Sequence, residues 1–328
     1  MTKLGEFRWI PGQGMDAAAL ENLRGRFGRP PQPMGEAWFM SDSRKMYPEL
    51  MGDLDKLPAE AIQKPMMEIA GGFSAFGALD GWGEWYHYLL PRMLPRWNDR
   101  YSQDSVVETL ISCFCAIYPE GVHAVPYRHF REDVLLTLGR CLMETQCWNG
   151  EELAVGEMLH RNNFHPNGVS CWGDASGDFS ASVFFCLKYL PQDLVSGWFQ
   201  SVLEIRDPHW RVQLMVWAIG AHAMLTGEVK WPEQFNVWAR PSVTWHESHC
   251  LRSEMVTEVS RGATPMPPFL PDASREQALH RLRTHFTEDV FLEWLDSISR
   301  VDYLYSELNE LPEKFERLFV GKRKIILA

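Results

Sequence analysis

The chain has 328 residues, 45% hydrophobic and 23% charged, with 32 lysines and arginines against 43 aspartates and glutamates, a formal charge of −11. That composition excludes wholesale disorder. An acidic balance also argues against non-specific nucleic-acid binding, which needs a cationic surface.

Residues 1–57 read as irregular apart from one helix near 15–27. Met1 to Trp9 lacks the apolar core of a signal peptide. Gly28 to Gly35, with Pro30, Pro31 and Pro33, predicts a loop. Helices follow near 58–76, 82–97, 102–118, 127–147, 150–161, 176–190, 192–205, 208–226, 232–239, 247–260, 274–287, 288–309 and 312–319. Proline punctuates them: Pro58, Pro191, Pro208, Pro232 and Pro312 each precede an amphipathic run, where a missing N–H costs nothing. Pro91 and Pro95 predict a kink in the third helix, and Ser274 with Gln277 has the form of a capping box. The run from Trp210 to Ala221 is apolar almost all round, so its helix should be sandwiched between neighbours. Sustained period-two alternation is missing, which makes the class all-α.

Short helices with short connectors predict stacked antiparallel pairs. Residues 1–260 form the main array. The proline-rich stretch 261–273 reads as a linker, and 274–328 as a C-terminal helical cap. None of the seven cysteines forms C-x-x-C, and most lie in apolar runs such as Ile111 to Ile117, so buried, reduced thiols are expected. No stretch reaches the ~18 uninterrupted apolar residues of a membrane span. The expected location is the cytoplasm.

Asp207-Pro208-His209-Trp210-Arg211-Val212-Gln213-Leu214 resembles a helix of the HEAT-type α-solenoids, which often carry aspartate and proline at the turn and then an arginine beside an aliphatic residue. The resemblance covers about 50 residues, near 178–226. No matching Asp/Arg ladder recurs in the other helix pairs, and large aromatics replace the usual small residues. It implies a solenoid-like helical scaffold whose concave face binds a partner.

Complete catalytic motifs are missing. Gly71 to Gly77 lacks the lysine of a phosphate loop, and Gly173-Asp174-Ala175-Ser176-Gly177 has the wrong offset for a nucleophile elbow. In Trp245-His246-Glu247-Ser248-His249-Cys250 the histidines are three apart rather than the four of a zinc-protease helix. The polar stretch from His160 to Asp178 is the catalytic candidate, through His160, His165, Asp174 and Asp178. His160, His165, Cys171 and Asp174 have donor types that zinc accepts. The plainer reading, and the one adopted, has no metal and no cofactor: an inter-helix loop in which Asp174 or Asp178 caps the next helix. Pro126 to Asp133 reads as a self-paired helix end. The basic run Gly321-Lys322-Arg323-Lys324 is too short to outweigh the overall acidity.

Aromatic residues at helical spacing are usually core. With 41 rings from 14 Trp, 18 Phe and 9 Tyr, a few are expected to stay open to a partner, and Trp82, Trp85, Tyr88, Trp172 and Trp245 are the candidates. The expected function is non-enzymatic binding of a basic protein, without nucleic acid or membrane, concretely a bacterial immunity or antitoxin protein that neutralises a basic toxin domain. The alternatives are a helical hydrolase built on the 160–178 loop and an interaction scaffold.

Overall fold

In the computed structural model the described residues are 4–34, 36–39, 42–45, 47–71, 79–96, 106–122, 126–154, 174–175, 177–236, 241–253, 267–301, 309 and 311–320. They hold eleven α-helices: α1 (Ala17–Arg26), α2 (Ala59–Gly71), α3 (Leu79–Met93), α4 (Val106–Ile117), α5 (Phe130–Leu136), α6 (Gly177–Tyr189), α7 (Gln192–Glu204), α8 (Pro208–Thr226), α9 (Asp272–His285), α10 (Glu288–Ser299) and α11 (Leu311–Phe319). Strand is confined to short pieces. The hairpin β1 (Glu36–Phe39) and β2 (Asp42–Lys45) lies in the segment expected to be irregular. A second hairpin joins β3 (Trp148–Asn149) to β4 (Glu152–Leu153), and β5 (Asp174–Ala175) runs parallel to β6 (Ser242–Val243). The all-α class holds. No helix among the described residues is long and apolar enough to cross a membrane.

Two helices organise the core. α4 is buried from Val106 to Ala116, because α2 and α6 pack on it and the 246–250 turn closes a further side. α8 is the second hub, buried continuously from Trp210 to Ala218 as its all-round apolar sequence predicts. Its N-terminus is set by Pro208 at the first position and by Asp207, whose Oδ1 accepts from the Trp210 N–H at 3.0 Å. It ends at Gly227, in the left-handed region at φ 83°. Around it lie α9, α10, α11 and the β5–β6 pair. That pair comes so close that a Cβ on Gly220 would fall 2.7 Å from the Ser242 carbonyl carbon and from the Val243 nitrogen, which is why glycine stands there.

Residues on both sides of 261–273 share one hydrophobic cluster, running from Phe7 to Phe319. α7 packs most closely on α9, far away in sequence. Lys188 of α6 fastens the incoming segment: its Nζ donates to the Pro119 and Phe269 carbonyls at 2.7 Å each, and burial pushes its pKa down to about 8. The N-terminal strap is pinned likewise. Trp9 donates from Nε1 to the Gly139 carbonyl at 2.8 Å, and its ring meets those of Trp198 and Trp210 edge-on.

Several expected boundaries move. The helix expected over 127–147 breaks after Leu136, where Thr137 Oγ1 donates back to the Asp133 carbonyl at 2.8 Å, and 3-10 turns continue over 138–143 and 145–147. The helix expected from 150 begins instead as the second hairpin, because Gly150-Glu151 is its two-residue turn and Gly150 sits at φ 71°. Ser274 is buried inside α9 and caps nothing, since the helix starts at Asp272 after Pro271. The six cysteines among the described residues are free, five of them buried.

Candidate functional site

His160, His165, Cys171 and Trp172, like the basic run 321–324, lie outside the described residues. Asp174 is not on a helix with Asp178: it pairs with Ser242 in the parallel β5–β6 bridge. Asp178 sits in the first turn of α6 and is buried. The other aromatic candidates are corrections. Trp82, Trp85, Tyr88 and Trp245 are all buried and present no ring to a partner. On α3, Trp85 donates from Nε1 to the Gln32 carbonyl at 3.1 Å and meets Tyr88 edge-on, while the Arg92 guanidinium covers the Tyr88 ring at 3.9 Å. Trp245 stacks on Phe184 and donates to Ser112 Oγ at 2.8 Å. Rings this large gain most by filling the seams between short helices.

Trp245 nevertheless leads to a polar centre on α4, which also meets Gly177, the residue before Asp178. Glu108, Thr109 and Ser112 project from one end of α4, Gln63 comes from α2, and Glu247 from the 246–250 turn, all of them buried. Gln63 Nε2 donates to Thr109 Oγ1 (3.3 Å), and Thr109 donates onward to Glu247 Oε1 (3.2 Å). Glu108 accepts from the His246 N–H, and its carboxylate presses so closely on Gly177 that a Cβ there would collide with it. Glycine at 177 therefore lets a carboxylate reach the positive N-terminal end of α6. Below it, Cys113 donates from Sγ to the Met66 carbonyl, and burial, then Glu247, raises its pKa well above the usual thiol value.

These groups are mostly committed to one another. Glu108 accepts from the His246 N–H and Glu247 Oε1 from Thr109, so each carboxylate has at least one bond within the protein. The neighbouring His249–Cys250 pair is no activated nucleophile. His249 Nδ1 donates to the His246 carbonyl (2.9 Å), which leaves Nε2, 3.3 Å from Cys250 Sγ, as the acceptor of the thiol proton. Burial, then Glu247, raises the Cys250 pKa, so the thiolate that nucleophilic chemistry requires is disfavoured. At the 126–133 helix end His129 Nδ1 lies 2.8 Å from Glu132 and Tyr127 donates to Asp133 at 2.6 Å, while Arg131 donates outside the segment, to the Tyr189 carbonyl at 2.7 Å.

The open surface is elsewhere. Among the described residues, Ile10 and Leu292 are the large hydrophobic side chains left exposed, at 49% and 54%. Ile10 lies beside the turn between α7 and α8. Ile10 lines a cleft of about 540 Å³ with Glu151, Glu204 and Arg206. Leu292 lies on α10, whose inner face buries Phe291, Trp294 and Ile298. Helical spacing therefore turns Asp289, Leu292, Glu293 and Asp296 outward together, and all four are exposed. α10 is held by Arg211 of α8, which donates to Glu293 (3.0 Å) and Ser297 (2.8 Å). Arg300 answers Asp296, so the outer face sets three carboxylates around an exposed leucine, with Glu293 and Asp296 each paired to an arginine.

Glu108 and Leu292 escape sequence reasoning for opposite reasons. A lone glutamate in an apolar run reads as the helix's wet edge, and one leucine in a charged run reads as core. Comparison with protein-family models, curated proteins and solved structures finds no match to this chain.

Proposed function

We propose that this chain is a non-enzymatic binding protein for a basic protein partner, which docks on the outer face of α10. The observation that carries this reading is the exposed Leu292 ringed by Asp289, Glu293 and Asp296, on a chain of net charge −11. A desolvated leucine supplies an apolar anchor, and carboxylates around it accelerate and orient the approach of a cationic surface. The commitment of the buried carboxylates to internal hydrogen bonds supports binding over catalysis. Neutralisation of a basic toxin domain is the specific form proposed. It predicts that the neighbouring reading frame encodes a large secreted protein with a basic C-terminal end.

The test is affinity capture from the native cytosol with wild type and with the triple variant Asp289→Lys, Leu292→Lys, Asp296→Lys. A stoichiometric basic protein held by wild type and lost by the variant supports the reading. No such protein, or equal retention by both, overturns it.

A hydrolase is the second reading, favoured by the placement of Asp178 beside the Glu108–Gly177 contact at the end of the 160–178 stretch. It predicts that Asp178→Asn abolishes an activity without lowering the melting temperature. A solenoid-like stack also remains a proposal. The succession of α6, α7 and α8 through short connectors supports it. The packing of α7 on α9, and of α8 on three later helices, weighs against the nearest-neighbour contacts of a linear array.

A further inference from the structure

On α8, two turns from its C-terminus, lies a cleft of about 400 Å³ that the partner-binding reading does not use. α11 forms one wall, with Lys314, Arg317 and Leu318, and α8 another, with Ile219, His222 and Ala223. Phe235, Pro241 and Val243 complete an apolar lining, with the amides of Gln234 and Asn236 at hand. Its volume lies within the range of small-molecule sites. Its charge is the reverse of the chain's. Carboxylates outnumber lysines and arginines 43 to 32 overall, yet no aspartate or glutamate is among the described residues lining this cleft. Two other clefts do mix signs, one through Glu151 and Glu204 beside Arg8 and Arg206, the other through Asp272 beside Lys230 and Arg275. Arg317 itself is exposed and makes no ion pair with a described carboxylate, although Glu313 and Glu316 share its helix.

Gly220 and the ring contacts keep the cleft in shape. The absence of a side chain at Gly220 lets the Ser242–Val243 backbone close one end. Phe319 meets His222 edge-on at 5.7 Å, and Phe235 stacks on Phe184 at 5.5 Å, so two of the walls are braced by rings in contact with the core.

We infer that this cleft binds a small amphipathic monoanion, an alkyl or aryl carboxylate, whose apolar body lies along Ile219, Phe235, Val243 and Leu318 and whose head group meets Arg317. A guanidinium matches a carboxylate with two parallel N–H···O bonds, and the apolar lining rejects a bare hydrated anion. The site is separate from the α10 face, and neither proposal depends on the other.

Decanoate is the probe, with 1-decanol and inorganic phosphate as controls, each titrated by calorimetry into the full chain. Saturable 1:1 binding of decanoate below about 1 mM is expected, with decanol and phosphate each weaker by roughly tenfold or more. Arg317→Glu should weaken decanoate by at least roughly tenfold. Ala223→Phe, which fills the cleft without changing charge, should abolish binding while thermal melting confirms that the variant is folded. Absence of saturable decanoate binding to wild type overturns the inference. So does unchanged affinity in both variants, or equal affinity for decanol, which would mark an unspecific greasy groove.

Discussion

Arg211 of α8 donates from Nη2 to Glu293 Oε1 of α10 at 3.0 Å, and this one side chain joins the core to the helix that carries the exposed leucine. The two ends differ in kind: the arginine side chain is 6% accessible and the glutamate 63%. The ion pair itself is therefore worth little, while the arginine's packing against Trp294, 5.1 Å from the ring centroid, is worth more. Arg211 Nε has no partner, so the buried cation is incompletely satisfied.

Arg211→Ala should cost roughly 2–3 kcal/mol in urea unfolding, through lost packing and the orphaned Ser297 and Glu293 contacts. Arg211→Met, which keeps the stem over Trp294, should cost less than about 1 kcal/mol. Glu293→Gln should fall within about 0.5–1 kcal/mol of wild type. Equal losses for Ala and Met would place the contribution in the charge and not in packing.

Gly177→Ala should destabilise by roughly 2–3 kcal/mol, because its Cβ collides with the Glu108 carboxylate. Glu108→Ala alone should cost roughly 0.5–1.5 kcal/mol by removing the acceptor of the part-buried bond from the His246 N–H. Together they should cost less than the sum, since removing the carboxylate makes room for the methyl group. A double-mutant cycle from denaturant melts measures the coupling, and strict additivity would contradict the contact.

His87 gives the fold an acid limb. It lies between Phe27, stacked at 4.8 Å, and Phe130, with Nε2 2.7 Å from Tyr118 Oη. Burial lowers its pKa to about 4 from 6.5. Between pH 6.5 and 4 the unfolded chain takes up a proton that the folded chain refuses, so stability falls as pH drops through that window, by up to about 3 kcal/mol. His87→Phe should flatten the change in unfolding free energy between pH 7 and pH 4.5. An acid limb as steep as wild type's would assign it to the carboxylates.

Most of the architecture is written in local chemistry. α8 starts at Asp207-Pro208 and stops at Gly227 because a cap, a fixed φ and a left-handed glycine are short-range devices. Burial of α8 follows from a run that is apolar almost all round. The β3–β4 hairpin turns at Gly150-Glu151, but the helical rhythm on either side masks a two-residue turn. What lies beyond sequence reading is long-range. Nothing near Glu108 announces that His246, 138 positions away, supplies its donor. Nothing in the aromatic spacing of α3 distinguishes a ring that faces solvent from Trp85, which is 1% exposed. The candidate site divides in the same way: the charge surplus is legible in composition, whereas its focus on the outer face of α10 depends on which side of that helix meets α8.

The central claim is tested most directly by salt-dependent capture on the α10 face. The wild-type chain and the triple variant Asp289→Lys, Leu292→Lys, Asp296→Lys, both shown to melt alike, are immobilised and exposed to the native cytosol at low and raised ionic strength. The account predicts one stoichiometric basic protein, retained by wild type at low salt, depleted as salt rises, and missing from the variant. A partner held equally by both chains, or no stoichiometric partner on wild type, would contradict it.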